Sequence, residues 1–149
     1  MIKNLKLFTV LFLALAIQSC SNNDDDDYVT QPKTIYEHVA TSSNYSYLTY
    51  ALQKTNLDGV LNGTDNYTLY APNNMAFSRF LMEAGFSNVD EVPTEVLTQI
   101  LLNHVMAGLI QYRDFETGYF QTAANSAATG TPLSIHIEQV NMRVTLNGE

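Results

Sequence analysis

The chain has 149 residues, with seven Lys plus Arg against fifteen Asp plus Glu, a formal charge of -8 and a pI near 4.6. That length supports one domain of ordinary size and excludes a multidomain enzyme. The acidic balance excludes a nucleic-acid partner, because duplex binding needs a basic footprint to displace counterions, and a single cysteine, Cys20, excludes an internal disulfide.

In chain order, residues 1–20 read MIKNLKLFTVLFLALAIQSC, with Lys3 and Lys6 as a basic start and an almost unbroken apolar run from Leu7 to Ile17. The run is shorter than the roughly 20 apolar residues of a bilayer span and fits the segment of about 7 to 15 that an export signal uses. Residues 1–19 are therefore read as a signal peptide. Ile17-Gln18-Ser19-Cys20 sets an aliphatic residue three before the cysteine and a small one directly before it, which resembles a bacterial lipobox. Processing would make Cys20 the acylated first residue; the alternative is a secreted protein with an incidental thiol. Acylation makes physical sense, since each buried CH₂ contributes about 0.8 kcal/mol and several chains hold a folded domain at a membrane.

Residues 20–31 carry Asp24-Asp25-Asp26-Asp27, a run that repels itself and stays extended as a tether. No glycine turn or later bidentate Glu makes it a calcium loop. Acidic residues closely following such a cysteine resemble the signal by which certain Gram-negative bacteria move lipoproteins to the outer face of the outer membrane. The expected location is thus the outer membrane, lipid-anchored and surface-exposed.

From Pro32 the polar bias stops, so residues 32–149 are read as the folded domain. Ile35, Tyr36 and Val39, then Leu48, Ala51 and Leu52, recur at helical spacing, with Gly59 and Gly63 as later breakers. Tyr67 to Ala71 is rich in β-formers and ends at Pro72. Asn73 or Asn74 caps the next helix, whose apolar face is Phe77, Phe80, Leu81 and Ala84 and whose end is Gly85. Another helix follows Pro93, with Thr94 as cap, and His104 continues its core-facing repeat. Leu133, Ile135 and Ile137, then Met142, Val144 and Leu146, alternate with polar residues as two strands joined through Gln139 to Asn141. These patterns predict an α+β domain, short helices against a largely antiparallel sheet.

Catalytic chemistry is not legible. His38, His104 and His136 are far apart with no HExxH, no GxSxG elbow or P-loop occurs, and the only thiol is assigned to the lipid. No metal, cofactor or catalytic residue is expected. Tyr112, Tyr119 and Phe120, beside a Thr/Ala/Ser/Gly-rich stretch from Thr122 to Thr131, form a candidate exposed aromatic cluster for a sugar or protein partner, and His136 should meet solvent.

The order TIYEHVATSSNYSYLTYALQKTNLDGVL, YTLYAPNNMAF, LTQILLNHVMAG, TPLSIHI and RVTLNG, residues 34 to 148, resembles a fasciclin domain. Its most specific segment, with Tyr67, Ala71, Pro72, Asn73, Asn74 and Phe77, is similar to the family's first signature: strand, Ala-Pro-Thr/Asn-Asn, helix start. Asn103-His104-Val105 is similar to the family's Tyr-His segment, but Asn103 replaces Tyr, so the resemblance carries no integrin-type role to this chain. His104 occupies the histidine position, where a residue at a helix end bonds the backbone of a neighbouring loop. Family members usually continue past a segment like RVTLNG to a second signature strand, so the resemblance implies a C-terminally incomplete domain, an unpaired strand at or near Tyr67 to Ala71 and marginal stability, the alternatives being a strand supplied by a second chain or a divergent short variant. The implied function is a non-enzymatic surface-anchored module for cell, matrix or glycan contact. The alternative is an accessory glycan-capture or assembly subunit of an outer-membrane uptake complex. The implied partners are the membrane, through the lipid on Cys20, and an extracellular protein or polysaccharide.

Overall fold

The structure, a computed structural model, describes residues 33–140 and 143–147. The expected leader, Cys20, the acidic tether, Asn141 and Met142 lie outside these residues.

Helix α1 (Ile35–Ala40) begins at a reciprocal cap: Glu37 N donates to Thr34 Oγ1 at 3.1 Å and Thr34 N donates to Glu37 Oε2 at 3.0 Å. Helix α2 (Ser46–Lys54) buries Leu48, Ala51 and Leu52 on one face. Its ammonium end, Lys54 Nζ, donates to the carbonyls of Val89, Asp90 and Val92 at 3.0, 2.9 and 2.9 Å, binding α2 to a short 3₁₀ turn at Val89–Glu91. Helix α3 (Leu57–Leu61) corrects one expectation, because Gly59 lies inside it rather than ending anything. The actual punctuation is Asn56, in the left-handed region at φ 57°, and Gly63, where a Cβ would come within 3.2 Å of the Val60 carbonyl.

Strand β1 (Tyr67–Leu69) is shorter than the expected Tyr67 to Ala71. After Pro72, Asn73 caps α4 (Asn74–Ala84) by accepting from Ala76 N at 2.9 Å, and Gly85 ends that helix at φ 77°. Asn74 has the other job. Its Oδ1 accepts from Tyr47 N at 3.1 Å and its Nδ2 donates to the Ser43 carbonyl at 2.8 Å, so α4 supplies the cap that α2 lacks. Helix α5 (Thr94–Leu102) starts one residue before expectation: Pro93 already has the extended backbone of a cap position, which leaves Thr94 inside the first turn.

Strand β2 (Val105–Ala107), not expected as a strand, pairs antiparallel with β1 in the register Tyr67 to Ala107 and Leu69 to Val105. Among the described residues, β1 has β2 as its one ladder partner, and a cleft of about 340 Å³ lined by Lys33, His38, Tyr67, Leu69 and Leu109 lies beside it. The second sheet has the order β3 (Gly118–Asn125), β4 (Pro132–Val140), β5 (Arg143–Leu146), also antiparallel. The domain is therefore α+β with helices and two small antiparallel sheets, as its patterning predicts, although the sheets are separate ladders. Strand β3, not expected as a strand, takes in the start of the Thr/Ala/Ser/Gly-rich stretch, with Thr122 and Ala124 buried on its inner face. Leu133 is corrected in the other direction: it is 38% exposed at the start of β4, while Ile135 and Ile137 are buried.

Two apolar clusters hold these layers. The larger packs Leu48, Leu52, Leu97 and Leu101 among the helices, with Phe77 and Val105 closing it. The smaller packs Ile135 and Ile137 against Met106, with Tyr70, Phe115 and Phe120 around it. Burying a leucine-sized side chain in such a core stabilises by roughly 1.5–3 kcal/mol, which is how short strands and helices with weak intrinsic stability persist.

Candidate functional site

Two surfaces bring the sequence-picked residues into view. The first is the outward face of β3 and β4. Strand alternation turns Phe120, Thr122 and Ala124 inward and Tyr119, Gln121 and Ala123 outward. Tyr119 stands directly opposite His136 in the ladder, with ring centroids 4.8 Å apart and planes at 54°, and it remains 80% exposed. The expected trio is thereby split. Phe120 packs into the smaller core, and Tyr112, 51% exposed, sits on a separate 3₁₀ turn at Tyr112–Asp114. His136 is half-buried against Tyr119 rather than open to solvent. Around the Tyr119 ring the same face presents Gln121, Ser134 and Glu138, all exposed, so a flat apolar plate is bordered by hydrogen-bonding groups.

The second surface is the corner where β1 turns into α4. β1 ends at Leu69, Pro72 leads into the helix that Asn73 caps, and Phe77 and Phe80 then face the last turn of α5. Pro72, Ala76, Phe77, Phe80, Ile100 and His104 line a cleft of about 150 Å³. His104 does not bond a neighbouring loop through its ring, as expected. Its Nδ1 lies 2.8 Å from the Ile100 carbonyl of the helix it follows, and its own carbonyl accepts from Tyr70 N at 2.9 Å. Asn103 is half-buried and structural, its Oδ1 accepting from Thr122 Oγ1 at 3.0 Å and so pinning the end of α5 to β3. The bond explains why a polar Thr122 is tolerated inside: its hydroxyl also reaches the Leu133 carbonyl at 3.2 Å.

Two tyrosines have perturbed acidity. The Asp90 carboxylate, which accepts the Tyr50 hydroxyl, raises Tyr50 above the usual 10.0, and burial raises Tyr70. Among the described residues, no group of three His, Cys, Asp or Glu could hold a metal ion, and no helix is long and apolar enough to cross a membrane. Tyr119 was legible as a candidate only because it is aromatic; its outward turn on β3 and the cleft at His104 were not, since each depends on elements meeting in space.

The fasciclin domain family model matches residues 43–149, and the chain belongs to that family. Among solved structures it is similar to a FAS1 domain pair from the insect cell adhesion molecule Fasciclin I, at 14% identity and a TM-score of 0.58. The likeness covers 79% of this chain and 43% of that one, so the chain spans less than half the length of the pair. No curated protein matches it. Fasciclin domains are in general adhesion-related modules and generally not enzymes.

Proposed function

We propose that this chain is a lipid-anchored, non-enzymatic contact module on the outer membrane surface, and that it touches its protein or polysaccharide ligand through the outward face of β3 and β4. Tyr119 carries this reading: a large ring left 80% exposed, held at a set angle against His136 by a paired strand behind it. Exposed aromatic plates with polar borders are where contact energy concentrates, because they bury much apolar area at little entropic cost. The basic and apolar leader, the Ile-Gln-Ser-Cys sequence and the acidic tether support delivery and anchoring at Cys20. The second reading, glycan capture beside an uptake complex, is favoured by the same plate, since sugar rings stack on aromatic faces. Tyr119→Ala tests the site. Adhesion of producing cells to immobilised matrix protein or polysaccharide should fall at least about tenfold while stability changes by no more than about 0.5 kcal/mol. Undiminished adhesion would reject this face; loss on glycan surfaces alone would select the second reading.

A further inference from the structure

We propose that the cleft at the β1 to α4 corner is a binding site for a small phenol, a single aromatic ring bearing one hydroxyl donor, with His104 Nε2 as its acceptor. The proposal stands apart from the Tyr119 face and goes beyond contact adhesion. Its first support is size. The cleft has about 150 Å³, and an apolar cavity of about 150 Å³ is known to take benzene. Its second support is lining: Pro72, Ala76, Phe77, Phe80 and Ile100 offer an apolar wall with two aromatic rings, suited to a flat ring rather than a flexible chain.

The third support is the proton on His104. A carbonyl oxygen can only accept, so the 2.8 Å contact with Ile100 places the imidazole hydrogen on Nδ1. In the neutral ring Nε2 is then a bare acceptor. Among the described residues no group donates to it. Of the six residues around the cleft, His104 alone brings a side-chain polar atom, and the atom still available asks for a donor. A hydrocarbon of the right size would leave that nitrogen unpaired, an aliphatic alcohol would satisfy it and lose the ring contacts, and a carboxylate would bring a second acceptor. A phenol meets both demands.

Ligand-observed saturation-transfer NMR on the full chain tests this with p-cresol, toluene and 4-methylcyclohexanol. p-Cresol should bind at least about tenfold tighter than either analogue. Ala76→Leu, a substitution at an exposed helical position on the rim, should abolish p-cresol binding with the thermal midpoint unchanged. Toluene binding as tightly as p-cresol, no saturation of p-cresol, or p-cresol binding that persists in Ala76→Leu would each overturn the proposal. N-acetyltyrosinamide separates the two sources of such a ring. Competition equal to that of p-cresol assigns the site to a tyrosyl side chain of a partner, absence of competition assigns it to free phenols, and both results uphold the phenol.

Discussion

Tyr70 illustrates what one atom can cost. Its ring belongs in the smaller core, tilted against Phe115 at a centroid distance of 6.2 Å, but its hydroxyl is buried with no hydrogen-bond partner among the described residues. An unsatisfied buried hydroxyl costs about 1–3 kcal/mol, so Tyr70→Phe should stabilise the domain by about 1 kcal/mol, read as a rise of roughly 3–6 °C in thermal midpoint. An unchanged or lower midpoint would mean the hydroxyl is satisfied in solution. The same burial raises the pKa of the Tyr70 hydroxyl above its usual 10.0, and the sign of the linkage follows. Below pH 10 both states keep the proton; above it the unfolded chain releases a proton that the native chain retains, so stability falls as pH rises. Urea midpoints should be level up to about pH 9 and decline beyond about pH 10, less steeply in Tyr70→Phe, because that variant removes one of the perturbed groups. The sequence places Tyr70 in a strand of β-formers; the structure sets it just past β1, in the smaller core with Phe115 and Ile110, and that burial makes its hydroxyl a liability.

At the scale of elements, the two asparagines at 73 and 74 look interchangeable as caps in sequence and are not. Asn73 caps its own helix, whereas Asn74 reaches across to the first turn of α2. Asn73→Ala should cost about 1 kcal/mol, as an ordinary cap does. Asn74→Ala removes two bonds between elements, each contributing about 1 kcal/mol net, so it should cost more, about 2 kcal/mol by urea unfolding. Equal losses would show that the cross-link adds nothing beyond a cap. Strand β3 is the element the sequence hides. Its inward positions include Thr122 and Ala124, too small and too mildly polar to give the apolar alternation that exposes β4, so period two is present in burial and absent in hydrophobicity. The small side chains are what let β3 lie close to the end of α5, where Asn103 binds Thr122.

For the whole molecule, the anchored-surface reading turns on Cys20, and Cys20→Ala isolates it. The substituted protein should leave the membrane fraction and the cell exterior, and protease added to intact cells should no longer reach it at the surface, while the folded domain keeps its unfolding midpoint. Retention of the variant in membranes would dismiss the lipid anchor, whatever the Tyr119 face binds. An acidic chain of charge -8 has little electrostatic hold on an anionic membrane, which is why one residue should decide the outcome.

Sequence by itself settled matters that depend on neighbours along the chain. The glycine at position 85, the helical and two-residue periods and the YTLYAPNNMAF segment are local rules, each legible within a dozen residues, and together they suffice for α+β class and fasciclin membership. Tertiary structure decided what depends on distance in space. It turned Tyr119 outward and Phe120 inward, gave Asn74 and Asn103 their partners on other elements, and set His104 at the mouth of an apolar cleft with its proton committed to Ile100. Periodicity reports which face a side chain takes, but the group waiting on that face belongs to a distant stretch of chain, and no local pattern encodes it.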